Sequence, residues 1–76
     1  EFYNTWKKSE DEYRLIAEMI ELRKQKGISQ TQLARTIGNR QQVISRIEKK
    51  ENSPSLKMFC CILDSLGYEL KIVKKN

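Results

Sequence analysis

The sequence predicts a mainly α-helical domain with one short strand at its C-terminal end, and three observations carry that prediction. Apolar residues recur at helical spacing in four stretches between Tyr13 and Leu66. Residues that start helices precede those stretches and glycines follow them: Ser9, Ser29 and Pro54 at the starts, Gly27, Gly38 and Gly67 at the ends. Beyond Gly67 the period changes, and Tyr68, Leu70 and Ile72 alternate with Glu69 and Lys71, as in a strand.

Taken in order, residues 1–8 read as an N-terminal extension carrying Phe2, Tyr3 and Trp6 without clear periodicity. The chain opens on Glu1 and not on Met, which leaves room for residues upstream. Residues 9–67 form the helical domain. Ser9-Glu10-Asp11-Glu12 has the form of a capping box, with its acids where a helix dipole favours them. Tyr13, Ile16, Ala17 and Ile20 follow at helical spacing, flanked by Leu15, Met19 and Leu22, a stripe wide enough for more than one neighbour. Lys24, Lys26 and Gly27 close it. Ser29-Gln30-Thr31-Gln32 is a second capping box, heading a short helix that buries Leu33, Ala34 and Ile37 and ends at Gly38. A third helix is expected from about Arg40 to Lys50, burying Val43, Ile44 and Ile47. After a polar loop, Pro54 suits the start of a fourth helix, with Leu56, Phe59, Cys60, Leu63 and Leu66 facing inward.

Residues 68–76 are the strand and tail. A lone strand leaves both its edges unpaired. Tyr68, Leu70 and Ile72 are therefore expected to pair with the same strand of a second copy, making a homodimer; the alternative is a tail packed as coil on the helices.

Composition narrows the chemistry. Among 76 residues, Lys and Arg number 15 against 10 Asp and Glu, a net charge of +5 and a pI near 9.4. Such a balance suits a polyanionic partner once the surplus falls on one face. There is no His, which removes the commonest general base and metal ligand. Cys60 and Cys61 are adjacent, and neighbouring side chains on a helix point about 100° apart, so they suit neither a relaxed disulfide nor a metal pair. They read as reduced, core or half-buried thiols. No metal cluster, phosphate loop or nucleophile–base pair is visible, so an enzyme, a cofactor and a metal are not expected. No apolar run approaches bilayer length and no signal-peptide pattern opens the chain, so a cytoplasmic location without a membrane partner is expected.

The stretch from Gln30 to Ile47 carries the function. Two short helices crossing steeply through a tight turn need a small residue where they approach, a flexible one at the turn and a branched apolar one on the second helix. Counting from Gln30, Ala34 is fifth, Gly38 ninth and Ile44 fifteenth, and Leu33, Ile37 and Ile47 fill the remaining core slots. An ordinary helical hairpin explains the apolar positions. It does not explain a glycine turn beside a polar face of Gln41, Gln42, Ser45, Arg46 and Lys49. A helix-turn-helix does, and its side chains suit base edges: Gln pairs with adenine in a bidentate way, Arg forks onto guanine and Ser serves several bases.

From about Leu15 to Leu66 the chain resembles the Cro and phage-repressor (XRE) helix-turn-helix family. The residues that carry the likeness are Arg23, Gly27-Ile28-Ser29-Gln30-Thr31-Gln32-Leu33-Ala34, Gln41-Gln42-Val43-Ile44-Ser45-Arg46-Ile47-Glu48, Pro54-Ser55-Leu56 and Leu66-Gly67. The resemblance implies a lambda-repressor-like bundle of four or five helices that binds operator DNA as a dimer. It implies base contacts from Gln41, Gln42, Ser45 and Arg46, a phosphate clamp at Gln30, and a partly buried ion pair between Arg23 and Glu48. Arg40, Lys49, Lys50 and Lys57 flank the third helix and are candidate phosphate contacts, or plain surface cations. Arg40 departs from the pattern, standing where the family usually has a Ser or Thr cap. Arg cannot accept the amide hydrogen bonds that a cap accepts. Either Asn39 caps instead, or Arg40 meets a phosphate and the frayed end is tolerated.

The layout around the motif, with a leading helix and a trailing strand, resembles HigA- and HipB-type antitoxins of toxin–antitoxin pairs. That resemblance implies a bacterial repressor that binds a toxin and regulates its own operon. Phe2, Tyr3 and Trp6 are then candidate toxin contacts, as exposed aromatics often anchor interfaces; packing on the first helix is the alternative for Trp6. A prophage or stand-alone regulator without a toxin, and an interaction module that does not bind DNA, are the other readings.

Overall fold

A computed structural model describes the backbone of residues 2–75 and the side chains of residues 10–75. Phe2, Tyr3 and Trp6, the candidate toxin contacts, lie outside the described side chains. Among the described residues four helices follow one another: α1 (Phe2–Gln25), α2 (Gln30–Thr36), α3 (Gln41–Glu48) and α4 (Leu56–Ser65). At about 1.5 Å per residue, the 24 residues of α1 match the 37 Å long dimension of the molecule. Among the described residues, no helix is long and apolar enough to cross a membrane.

The four helices share one core. Ile16 and Met19 of α1 meet Leu33 and Ala34 of α2, Ile44 and Ile47 of α3, and Phe59, Ile62, Leu63 and Leu66 of α4 and its cap. Ala34 and Ile44 are fully buried, as the crossing of α2 over α3 requires. Gly38 sits between them with φ of +70° and open space where a Cβ would stand. Glycine is needed there for its backbone angle, not for room.

Several expectations are corrected. α1 starts at Phe2, so Ser9 lies in its interior and not at the N-terminus that the sequence predicts. Nothing between Phe2 and Lys8 breaks a helix, and an interior Ser costs only a few tenths of a kcal/mol. Tyr13 and Ala17 are exposed, and the buried line of α1 runs through Ile16, Met19 and Arg23. On α4, Leu56 is 70% exposed and Cys60 is also exposed, while Ile62 is fully buried. Pro54 lies ahead of the start: Ser55 is the cap, its side chain accepting from the Met58 amide. Both Cys60 and Cys61 are exposed rather than core or half-buried.

A further correction concerns the tail. Residues 68–75 run as coil, and no strand occurs among the described residues. Tyr68, Leu70 and Ile72 are exposed. Alternation supplies the faces of a strand, but the ladder must come from a neighbour, and the single chain offers none.

Candidate nucleic-acid interface

The site is built on α2 and α3. α2 is fixed at its start by the reciprocal capping box that the sequence predicts. Ser29 Oγ accepts from the Gln32 amide at 3.0 Å, and Gln32 Oε1 accepts from the Ser29 amide at 2.8 Å. At its end the Gly38 amide donates to the Arg35 carbonyl and the Asn39 amide to that of Ala34. These bonds close the left-handed turn that sends the chain into α3.

α3 runs Gln41–Glu48, shorter at both ends than the expected Arg40–Lys50. Arg40 is its N-cap residue and supplies no side-chain cap. Asn39 does not replace it as the cap; its Oδ1 instead accepts from the Arg40 amide at 2.9 Å. The open cap at Arg40 is thus the outcome, with the arginine side chain exposed.

Ile44 and Ile47 face the core, which turns Gln41, Gln42 and Arg46 outward into solvent and leaves Ser45 half-buried. Arg40, Lys49, Lys50 and Lys57 are all exposed. Lys50 points its Nζ over the ring of Tyr13, 5.5 Å from the centroid. α3 therefore presents amides and cations on its free side, as base edges and phosphates need.

The expected ion pair is present and almost fully buried. Arg23 Nε donates to Glu48 Oε2 at 2.7 Å and Nη2 donates to Glu48 Oε1 at 2.9 Å. Their side chains are 9% and 8% exposed. Arg23 Nη1 also donates to the Ile28 carbonyl at 2.8 Å, so the fork ties α1 to the loop before α2 and to α3. Among the described residues, no buried side-chain polar atom lacks a hydrogen-bond partner.

Gln30 was expected at the DNA surface, and here the geometry adds something that residue types alone did not suggest. Gln30 is half-buried. Its Nε2 donates to Glu48 Oε1 at 2.8 Å, and its Oε1 accepts from Gln41 Nε2 at 2.7 Å. A continuous chain of hydrogen bonds thus runs Arg23–Glu48–Gln30–Gln41. One signal could have exposed it: Gln41 and Glu48 stand seven residues apart, on one side of a helix, opposite the first residue of α2.

Comparison with known proteins agrees with a helix-turn-helix. The helix-turn-helix family model matches residues 19–73, which include all of α2, α3 and α4. An uncharacterized HTH-type transcriptional regulator of Haemophilus influenzae is 46% identical over 59 residues. The match takes in 78% of this chain but only 60% of that protein's length. Among solved structures, a chain of a toxin–antitoxin module from Streptococcus pneumoniae superposes with a TM-score of 0.73 at 36% identity. That superposition covers 96% of this chain and 80% of the other.

Proposed function

The chain belongs to the XRE-type helix-turn-helix family, and from that premise we propose that it is a sequence-specific DNA-binding repressor acting as the antitoxin of a toxin–antitoxin pair. In this reading it binds a toxin and represses their shared operon, in the bacterial cytoplasm. Its work is binding and not catalysis. One observation carries the DNA-binding part: Ile44, Ile47 and Glu48 hold α3 to the bundle by one side, Gln42 and Arg46 stand exposed on the other, and Gln41 is exposed at its first position. The antitoxin part is supported by likeness along nearly the whole chain to a member of a toxin–antitoxin module.

Gln41, Gln42, Ser45 and Arg46 read bases in the major groove, and Gln30, Arg40, Lys49, Lys50 and Lys57 meet phosphates. Two copies read two half-sites about one helical turn, roughly 34 Å, apart. Phe2, Tyr3 and Trp6 contribute to the toxin contact.

Selection of bound sequences from a random duplex pool tests this directly. A palindrome with that half-site spacing is expected, and binding falls steeply as salt rises. Arg46→Ala then relaxes base preference at one position of each half-site, at a cost of about 1–3 kcal/mol against the preferred sequence. Failure to enrich any sequence, with binding indifferent to salt, would leave an interaction module. The relative from Haemophilus influenzae supports a second reading, a transcriptional regulator without a toxin. Co-purification with the product of an adjacent reading frame separates the two.

A further inference from the structure

We propose that Tyr13 of α1 is a positioning residue for DNA binding: its ring holds the Lys50 ammonium in place to meet a phosphate beside the base that Arg46 reads. The inference rests on the reading of α3 as the base-contacting helix, and it adds to that site a residue from outside the helix-turn-helix.

It starts from a backbone angle. Among the described residues, four have φ in the left-handed region: Gly27, Gly38, Gly67 and Lys50. Three of these turns use the residue that takes the angle without strain. The fourth, with φ of +64°, carries a side chain whose Cβ crowds the following carbonyl. The turn does not require one. The hydrogen bonds that close it come from the backbone, the Lys50 amide donating to the Ile47 carbonyl and the Glu51 amide to that of Arg46. Glycine would make both. Strain of this kind gathers at functional sites.

The side chain shows what the strain supports. Lys50 Nζ stands over the Tyr13 ring, 5.5 Å from the centroid, within reach of a cation–π contact. Glu12 and Glu51 border the same cleft between α1 and the loop after α3. Neither pairs with Lys50: the ion pairs among the described residues are Arg14–Asp11, Arg23–Glu48 and Lys71–Glu69. A carboxylate would cancel the charge, whereas a ring face steadies the cation and leaves its charge and N–H donors to another anion.

The place is fixed by the same turn. The Glu51 amide folds back on the Arg46 carbonyl at 2.9 Å, so Lys50 lies beside the residue that reads a base. Its four-carbon stem is otherwise flexible, and ordering it on binding loses rotamer freedom. The ring orders it beforehand. A contact of this strength at an exposed site keeps the ammonium in place roughly two- to fivefold more of the time, and apparent affinity scales with that share. Tyr13 itself is 47% exposed, so replacing it leaves the core intact.

The test is a double-mutant cycle on the duplex that selection yields, with affinity measured at several salt concentrations. Lys50→Gly keeps the turn and removes one phosphate contact, so it is expected to weaken all sequences alike and lower the salt slope by about one. Tyr13→Leu is expected to weaken binding roughly two- to fivefold with the slope kept, because the charge is still there. Tyr13→Phe retains the ring face and binds as wild type does. In the Lys50→Gly background, Tyr13→Leu changes nothing. A loss of folded protein would act in both backgrounds and cancels from the cycle. An equal loss from Tyr13→Leu with and without Lys50 overturns the proposal, and so does unchanged affinity in Tyr13→Leu or in Lys50→Gly. A loss in Tyr13→Phe as large as that in Tyr13→Leu overturns it too, by giving the role to the hydroxyl. A wild type that binds no duplex sinks the DNA reading and this inference together; a wild type that binds, with no coupling between residues 13 and 50, sinks only this one.

Discussion

The helices α2 and α3 are neighbours of nearly equal length, seven and eight residues, and they are held in opposite ways. α2 is secured at its ends. Ser29 and Gln32 cap one terminus reciprocally, and Gly38 takes the left-handed turn at the other with φ of +70°. α3 ends in the same hydrogen-bond pattern, with the Lys50 amide donating to the Ile47 carbonyl and the Glu51 amide to that of Arg46. Its left-handed residue, however, is Lys50 with φ of +64°, and its N-cap is an arginine that caps nothing. Helices this short do not persist alone in water. α3 is held from the side instead, by Ile44, Ile47 and the Glu48 carboxylate. Its termini are thereby left with cationic side chains where a well-capped helix has Ser and Gly. The difference marks which helix is shaped for a partner.

The strongest way to break this comparison is to remove the lateral support. Glu48→Ala should destabilise the domain by about 3–5 kcal/mol, because Arg23 is left as a buried charge without its partner. Urea denaturation measures it, and a loss under 1 kcal/mol would mean that the pair does not hold α3. A smaller contrast lies at the two N-termini. Ser29→Ala should cost about 1 kcal/mol, whereas Arg40→Ala should leave stability unchanged and weaken only binding to DNA. Equal losses from both would show that α3 is capped after all. The smallest effect is a gain. Lys50→Gly should stabilise the domain by about 1 kcal/mol, by relieving a side chain in the left-handed region, less the contact with the Tyr13 ring. A fall in the thermal midpoint would give that contact the larger share.

How far the residues announce the fold depends on how local the signal is. Ser29, Gln32 and Gly38 act within one turn of themselves, and α2 and the turn after it are legible from them. Ser9 shows the limit: a capping box is a signal only if the helix has not already begun. Leu56 and Cys60 show another. Both sit beside a true buried position, and only the docking of α4 on its neighbours decides which edge of an apolar stripe is covered. Alternation at Tyr68, Leu70 and Ile72 gives side-chain faces, but hydrogen-bond partners are not written into it. The candidate interface divides the same way. Its outward Gln42 and Arg46 follow from helical period once Ile44 and Ile47 are known to be buried, and the Arg23–Glu48 pair follows from family resemblance. The contact of Gln30 with Glu48 does not follow from either.

By itself, the sequence determined where the helices lie from α2 onward, where the chain turns between α2 and α3, and which side chains α3 can present. These depend on caps, glycines and periodicity, all acting over a few residues. Only the tertiary structure decided how those side chains are set. Residues 23, 30, 41 and 48 meet because three helices pack around one core, which brings together positions far apart in the chain.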